Sequence, residues 1–325
     1  GVAIYAEGGS FITNPEFLQC SFLHNSGSFG GAVSNEELSN DISTAKPSFV
    51  NCLFDDNHAG FGGAVRNEKG NPSWINCSFT KNSGTFGGAI MINGGAASWT
   101  NCSFSKNDAN WGGAIRNFGD SIVLNNCIIW GNTGNLENNI QNENAQAVVQ
   151  LNHTLIEETA CPPGFTCGNG MIFNQNPLFV NATNSNLRLQ SASPAINHGS
   201  NDAVPAGITA DLAGNTRIYN GTVDLGAYEF GATVGTETLS WLQEIRLYPN
   251  PAIGSFTVDM AGEAADEVEF SLLSTGGREM LRETADFRFG ALTHRFETSD
   301  LPAGLYLLRI RSGNQVEFAK VMLQR

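Results

Sequence analysis

Residues 86–115 read FGGAIMINGGAASWTNCSFSKNDANWGGAI, and this stretch decides the fold. It contains one complete repeat, because FGGAI at residues 86–90 returns as WGGAI at residues 111–115, 25 residues later. Related copies of this element begin at Gly30 and Gly62, and Gly1–Ile4 is a degenerate first copy. Self-similarity at a fixed period of this size is the signature of a solenoid. We therefore expect stacked coils of about 25 residues, each in contact with its neighbours.

Cysteines recur with the glycine pairs, and their spacing shows where the repeat tolerates extra length. A cysteine precedes the next glycine pair by 10 residues in four copies, whereas the first glycine of each copy, starting with Gly1, precedes the next cysteine by 19, 22, 15, 15 and 15 residues. All extra length therefore enters at one corner of the coil, between strands that must stay in register. We predict that these insertions, Glu7–Asn14 and Glu36–Lys46, make the contacts with a partner, because loops can vary without disturbing the coils.

The residues around each cysteine alternate with the period of two that indicates a β-strand. If each copy makes one coil, equivalent residues lie in columns at the inter-strand spacing of about 4.8 Å. We expect the cysteine column to point into a narrow core as free thiols. An asparagine column is expected at a turn that tolerates a left-handed backbone, with its amides bonded between coils. These columns are Cys20, Cys52, Cys77, Cys102 and Cys127, and Asn25, Asn57, Asn82, Asn107 and Asn132. The predicted fold is all-β, a right-handed parallel β-helix.

Composition and charge restrict the function. The 325 residues include 37 Gly and only 15% charged residues, which suits a turn-rich β protein, and the formal net charge is -14. Residues 1–239 carry 8 basic and 19 acidic side chains, a net charge of -11, so most of the negative charge lies in this part of the chain. A surface of this sign repels phosphate, so we expect no nucleic-acid partner. No run of about 18 apolar residues occurs, so no transmembrane segment is predicted.

The candidates for catalysis on the coils are few. Cleavage of a polysaccharide needs two carboxylates that flank a bond, or carboxylates that hold calcium beside a base. The residues that could be assembled for this purpose are Asp55, Asp56, Arg66 and Arg116. Their spacing is better explained by solvated faces of the coils. We therefore assign no catalytic residue, and we keep a polysaccharide-active enzyme as the alternative.

The densest charged motif consists of Asp211, Arg217, Asp224 and Glu229. In one interpretation the three acids bind calcium. In the other, which we favour, Arg217 bonds to the carboxylates where the chain packs on the last coil. Calcium is thus the one cofactor that the sequence suggests. The five repeat cysteines are not expected to bind metal, because a column of thiols forms a line rather than four converging ligands.

Two sets of segments resemble families of secreted proteins. The repeats FGGAVRN at residues 61–67 and WGGAIRN at residues 111–117 resemble those of polymorphic outer-membrane-protein-like adhesins, which are β-helical surface proteins. NPLFV at 176–180, SPAINHG at 193–199, DLAGNTR at 211–217 and DLGAYE at 224–229 resemble the choice-of-anchor family of secreted β-helix proteins. This resemblance implies that residues 181–230, here called the closing segment, close the β-helix at the end of a domain that spans residues 1–230.

The C-terminal residues resemble the sorting domain of the type IX secretion system of Bacteroidetes. The motif residues are Tyr248, Pro249, Asn250, Pro251, Gly277, Arg278, Gly304, Tyr306 and Lys320. Residues 240–325 also alternate as strands with short turns, which predicts an Ig-like β-sandwich of about seven strands. Residues 231–239 have the composition of a flexible linker. The resemblance implies export, with the secretion machinery as a partner and a cell-surface or extracellular location. In that oxidising compartment, Cys161 and Cys167 are expected to form a disulfide.

These observations favour a non-catalytic secreted adhesin or an extracellular structural subunit. One alternative is a polysaccharide lyase or glycosidase, and another is a self-assembling subunit of a filament or appendage. The partners predicted by these hypotheses are a glycan or other cell-surface ligand, or further copies of the chain.

Overall fold

The computed structural model describes residues 2–6, 14–37, 46–232, 242–262, 267–274, 278–287, 290–312 and 315–324. The chain forms two compact units, Gly1–Ala232 and Thr233–Arg325. In the first unit, short parallel strands stack into four sheets that each receive a strand from successive coils. This arrangement confirms the predicted parallel β-helix. The described residues contain no helix long and apolar enough to cross a membrane.

Each complete coil contributes one strand to each of sheets A, B, C and D. Sheet A contains β1 (Val2–Ala6), β5 (Val33–Glu37), β9 (Val65–Asn67), β13 (Ile90–Ile92), β17 (Ile115–Asn117) and β21 (Ile140–Asn142). Sheet B contains β2 (Glu16–Leu18), β6 (Ser48–Val50), β10 (Ser73–Ile75), β14 (Ala97–Thr100), β18 (Ile122–Asn125), β22 (Val149–Asn152) and β24 (Phe165–Cys167). Sheet C contains β3 (Ser21–Leu23), β7 (Leu53–Asp55), β11 (Ser78–Thr80), β15 (Ser103–Ser105), β19 (Ile128–Ile129), β23 (Leu155–Ile156) and β25 (Ile172–Phe173). Sheet D contains β4 (Ser26–Phe29), β8 (His58–Phe61), β12 (Ser83–Phe86), β16 (Asp108–Trp111) and β20 (Thr133–Leu136).

The register between coils follows the sequence period, because Trp74 pairs with Trp99 and Phe79 pairs with Phe104. These residues belong to two inward aromatic columns, in which successive rings stack nearly parallel at centroid distances of 4.7 to 5.6 Å. The columns meet edge to face, as in the pair Trp99 and Phe104 at 6.3 Å. Buried rings of this size supply most of the apolar area in a narrow core.

The glycine pairs form the corner between sheets D and A, and the geometry excludes a side chain there. Gly62 has a φ of +66°, and a Cβ atom at this residue would lie 1.9 Å from the carbonyl oxygen of Val65. A Cβ atom at Gly63 would lie 2.1 Å from the carbonyl oxygen of Gly88 in the next coil. The first glycine therefore permits the turn, and the second permits the close approach of successive coils.

The cysteine column lies inside the β-helix as free thiols, with Cys52, Cys77, Cys102 and Cys127 fully buried and Cys20 partly exposed. In the coil without this cysteine, LNHTL at residues 151–155 replaces the strand around it, and this alignment predicts His153 in the column. Instead Thr154 occupies the column, and its hydroxyl accepts a hydrogen bond from the Cys127 N–H at 3.4 Å. Paired residues of this coil and the previous one are 27 residues apart in sheets B and C, instead of the usual 25. His153 therefore lies at the left-handed turn position directly before the cysteine column.

The asparagine column forms the expected ladder, since each Nδ2 donates to the next Oδ1 at 2.9 Å. Its residues are not left-handed, however, and this part of the expectation is wrong. The left-handed residues directly precede them and include Asp56 and Lys81. A second left-handed series directly precedes the cysteines: Gln19, Asn51, Asn76, Asn101 and Asn126. Its four asparagines form another ladder of amide hydrogen bonds that the sequence reasoning missed.

The closing segment lies along the flank of the coils, at the turn between sheets B and C, and not only on the last coil. Asn76 Nδ2 donates to the Ala210 carbonyl at 2.8 Å, and Asn126 Nδ2 donates to the Ser200 carbonyl at 3.0 Å. The Ala227 N–H donates to the Ser103 hydroxyl at 3.0 Å. The outer amides of the second ladder therefore anchor this segment. The hairpin of β26 (Phe179–Asn181) and β27 (Asn186–Leu189) leads into this segment, which also contains the short 3-10 helices η1 (Ala182–Asn184) and η2 (Asn201–Ala203).

The described residues of the second unit form seven strands in one hydrogen-bonded sheet. They are β28 (Leu242–Ile253), β29 (Ser255–Gly262), β30 (Glu267–Ser274), β31 (Glu279–Asp286), β32 (Ala291–Glu297), β33 (Gly304–Ser312) and β34 (Gln315–Gln324). The order is β31-β30-β33-β34-β28-β29-β32, and neighbours are antiparallel except β28 and β34. Phe270 of β30 stacks on His294 of β32 at 5.3 Å, so distant strands of this order face each other across the core. The two layers are thus joined through β28, which pairs first with β29 and then with β34.

Candidate functional site

The charged motif of the closing segment is a buried ion cluster. Arg217 and Glu229 have fully buried side chains, and their Nη2 and Oε2 atoms are 2.7 Å apart. The guanidinium of Arg217 also donates to the carbonyl oxygens of Gly226 at 3.0 Å and Asp224 at 3.1 Å. These contacts join the turn at residues 211–217 to the one at residues 224–229.

Every carboxylate oxygen of this cluster already accepts an N–H group. Asp211 accepts from the backbone of Ala213, Asn215 and Glu229, and Asp224 accepts from the backbone of Asn197 and Phe230 at 2.6 Å. The other Glu229 oxygen accepts from the Tyr219 N–H at 3.2 Å. Calcium binding by these acids would require several of these bonds to break. In the described part of the chain, no group of three or more His, Cys, Asp or Glu residues is arranged to hold a metal ion. The geometry therefore favours the ion-pair interpretation.

Burial governs the protonation of this cluster. It raises the pKa of Glu229 to about 7, although Arg217 acts in the opposite direction. Burial also raises the pKa of Asp224, against the effect of two backbone N–H groups and Arg217. The cluster thus stabilises the closing segment from within. Its net charge changes near neutral pH, where Glu229 titrates.

The four residues considered for catalysis do not converge. Asp55 on sheet C accepts hydrogen bonds from the hydroxyls of Thr80 and Ser185, both at 2.6 Å. Asp56 follows it at the turn and contacts Nδ1 of His24 at 2.8 Å. Arg66 and Arg116 lie on sheet A, beyond sheet D in the coil, where each has its own carboxylate partners.

Arg66 and Arg116 border an exposed row of rings that we call the aromatic stripe. It consists of Phe29, Phe61, Phe86 and Trp111 on sheet D, with successive centroids 5.3, 5.1 and 4.7 Å apart. The guanidinium of Arg66 lies 4.7 Å from the Phe29 ring centroid, and that of Arg116 lies 4.5 Å from the Phe86 centroid. Phe29 is 49% exposed, and the other three rings are partly exposed. In the sequence each of these aromatic residues directly precedes a glycine pair, which predicts a column, but no sequence signal indicates that the two arginines cover the rings.

Cys161 and Cys167 form a disulfide, with Cα atoms 6.0 Å apart. The bridge closes the turn that leads into β24, the last strand of sheet B. Most residues of the two insertions predicted to make contacts, Glu7–Asn14 and Glu36–Lys46, lie outside the described residues. Of the predicted linker, residues 233–239 lie outside them as well.

The sorting-motif residues of β28 explain how this strand changes partners. Pro249 and Pro251 lack an N–H group, so neither can contribute one to a ladder. Between them, the Asn250 side chain replaces these bonds: its Nδ2 donates to the Lys320 carbonyl at 2.8 Å, and its Oδ1 accepts from the Met322 N–H at 2.9 Å. The Tyr248 hydroxyl donates to Oδ2 of Asp259 at 2.5 Å.

The other motif residues lie near strand ends. Tyr306 is buried, and its hydroxyl donates to the Pro302 carbonyl at 2.8 Å. This bond fixes the turn that leads into β33, which begins at Gly304. Arg278, just before β31, exchanges hydrogen bonds with Ser274 at the end of β30. Gly277 lies outside the described residues.

Residues 246–324 match the family described as secretion system C-terminal sorting domain. No curated protein matches the chain. A type IX sorting domain directs export, so this is a secreted protein of the cell surface or the extracellular space, and the secretion machinery is its partner through this domain. The resemblance of residues 176–229 to the choice-of-anchor family stays a prediction.

Proposed function

We propose that the exported chain is a non-catalytic adhesin that binds a glycan or another cell-surface ligand. The observation that supports this function is the aromatic stripe. Aromatic residues and arginine are the residue types enriched at the centres of binding interfaces. Here the regular coils hold four rings in one row, with each guanidinium fixed by a carboxylate partner. A rigid surface of this kind loses little conformational entropy on binding.

The dispersal of the candidate acids and bases supports binding over catalysis. General acid–base cleavage needs its groups within hydrogen-bond reach of one bond. Asp55 and Asp56 lie at sheet C and the turn that follows it, Arg66 and Arg116 lie on sheet A, and the strands of sheet D separate the two sets along the coil. Asp211, Asp224 and Glu229 of the closing segment are buried around Arg217. Polysaccharide cleavage and self-assembly remain alternative hypotheses.

The test compares stripe variants with a matched surface variant. Fluorescently labelled full-length protein would be applied to an array of purified polysaccharides and to whole bacterial cells. We expect the double substitution Phe86→Ser and Trp111→Ser to abolish most binding. Val180→Ser removes an apolar side chain that is 49% exposed but lies outside the stripe, and it should leave binding unchanged. Equal binding by both variants would contradict the proposal, as would release of new reducing ends from a bound polysaccharide.

A further inference from the structure

A second surface feature lies where the closing segment meets the first coils. It is a pocket of about 320 Å³, open on one side, between the turn that links sheets B and C and two turns of the closing segment. Its walls include Gln19, Asn51, Arg188 and Tyr228, with Leu212 at one side. This volume lies near the lower end of the range for small-molecule sites, which is about 300–1,000 Å³.

The pocket collects hydrogen-bond donors that have no partner in the described protein. Tyr228 is only 9% exposed, yet its hydroxyl makes no hydrogen bond with any described group. Asn51 is the last member of the second asparagine ladder: its Oδ1 accepts from Asn76, while its Nδ2 has no acceptor among the described residues. Neither the Tyr228 hydroxyl nor Asn51 Nδ2 is among the fully buried polar atoms, so both reach the open space of the pocket, where they can donate to a ligand or water.

Arg188 adds a positive charge at the same place. Its guanidinium lies 5.0 Å from the centroid of the Tyr228 ring, and it forms no ion pair with a described carboxylate. The nearby acids are already engaged, since Asp55 accepts two hydroxyls and Asp211 accepts three backbone N–H groups. An accessible guanidinium without a carboxylate is notable in a chain with a net charge of -14.

The protonation state of the tyrosine agrees with a donor role. Burial raises the pKa of Tyr228 above its ordinary value, so the phenol keeps its proton at neutral pH. A guanidinium prefers a planar, two-oxygen anion, and amides and a phenol bond well to hydroxyl groups. One small molecule carries both features when a sugar ring bears a carboxylate.

We propose that this pocket binds an acidic sugar unit, with the carboxylate on Arg188 and the sugar hydroxyls on Tyr228, Asn51 and Gln19. The proposal deepens the adhesin function, because it names a class of glycan and a place separate from the aromatic stripe. It requires no chemistry on the sugar and no metal ion.

The test is calorimetric titration of the full-length protein with trimers of galacturonate, glucuronate and guluronate, and with neutral maltotriose. At least one acidic trimer should bind more tightly than maltotriose, and added salt should weaken it. Arg188→Gln should lower this affinity about tenfold or more, because it removes a charge-assisted hydrogen bond. Tyr228→Phe should lower it less while keeping the ring and the fold. Lys106→Gln removes an exposed cation elsewhere on the coils and should change nothing.

Several outcomes would overturn the assignment. They are an absence of binding by all three acidic trimers, equal binding of maltotriose, or an unchanged affinity in both Arg188→Gln and Tyr228→Phe. Equal binding of a tripeptide with a free C-terminus would show a carboxylate site without sugar selectivity. The adhesin function is tested separately, since stripe variants that lose cell binding while Arg188→Gln retains it would exclude only the pocket.

Discussion

Arg217 and Glu229 form an ion pair inside the closing segment, with 2.7 Å between Nη2 and Oε2 and neither side chain exposed. Arg217→Ala would leave three buried acids without their cation. Removal of one partner from a buried pair costs about 3–5 kcal/mol. We expect a loss of this size in the free energy of unfolding of the first unit. Denaturant titration followed by tryptophan fluorescence would measure it, since four of the five tryptophans lie at residues 74, 99, 111 and 130.

The control for this substitution is Lys106→Ala, which removes an exposed cation from a coil. Its cost should be below about 0.5 kcal/mol, as for most surface substitutions. If both variants lost the same small amount, the cluster would not be stabilising the closing segment.

The same cluster predicts a pH dependence of stability. Burial raises the pKa of Glu229 to about 7 from an ordinary value of 4.5, so the folded state binds more protons than the unfolded state between these values. The free energy of unfolding contributed by Glu229 should therefore fall as pH rises through this window and level off above it. Asp224, whose pKa is also raised by burial, should act with the same sign.

Glu229→Gln isolates this effect from the other carboxylates, because glutamine resembles the protonated acid and does not titrate. The stability of the unmodified protein relative to this variant should decrease from pH 4.5 to pH 7, the two values that bound the window. Denaturation of both proteins at several pH values would measure the difference. An increase instead would mean that attraction by Arg217 outweighs the cost of burial.

Much of the β-helix could be predicted from the sequence because each coil repeats the same environment. Five copies of one cysteine, each followed by a hydrophobic residue two positions later, define an inward face. The glycine pairs mark a corner that a Cβ atom would block. Periodicity, however, reports which positions are equivalent and not the backbone conformation at each. For this reason the repeat predicts a left-handed backbone at Asn57, whereas the residue with that conformation is Asp56.

The closing segment was harder to predict because it has no repeat. Its motifs indicated that Arg217 meets the acids, yet its position on the flank depends on contacts between residues far apart in sequence. Asn126 and Ser200, which are bonded in both directions, are separated by 74 residues. The pocket beside Arg188 arises from the same long-range packing. The arginines of the aromatic stripe were visible in the sequence, but only the coil geometry brings them over the rings.

The inward aromatic column is expected to carry much of the stability of the β-helix. Trp99 is fully buried between Trp74 and Leu124 in successive coils. Trp99→Ala should lower the free energy of unfolding by about 3–5 kcal/mol, because it leaves a cavity that rigid neighbouring coils cannot fill. Trp111→Ala makes the same substitution in the partly exposed stripe and should cost clearly less. Equal losses in denaturant titrations of the two variants would contradict this account of the core.

The cysteine column predicts a pattern of chemical reactivity. Iodoacetamide reacts with the thiolate form of cysteine. Burial raises the pKa of the Cys102 thiol and so disfavours its thiolate. Only Cys20 of the five free thiols is partly exposed, so mass spectrometry of the folded protein should show at most one adduct. Denaturation without reduction should give five, because the disulfide of Cys161 and Cys167 does not react. Cys20→Ser should give none when folded, and two or more adducts on the folded protein would mean that the core opens.

Two substitutions in the C-terminal unit can separate its folding from its recognition by the secretion machinery. Asn250→Ala removes both side-chain hydrogen bonds that tie β28 to β34. Each such bond is worth about 0.5–1.5 kcal/mol, so hydrogen exchange should accelerate for the amides of β34, and less protein should reach the cell surface. Immunoblots of surface, medium and periplasmic fractions would measure export. Tyr248→Phe removes only the exposed bond to Asp259 and should leave exchange in β34 unchanged.

The two variants together show what the secretion machinery reads. If it reads the folded unit, export should fall for Asn250→Ala and stay normal for Tyr248→Phe. If Tyr248→Phe blocks export while exchange in β34 is unchanged, the machinery must contact the Tyr248 hydroxyl itself. The 47% exposure of Tyr248 would make such a contact accessible. The position of Asn250 between two prolines favours the first outcome, because its side chain supplies hydrogen bonds to β34 where the prolines have no N–H to donate.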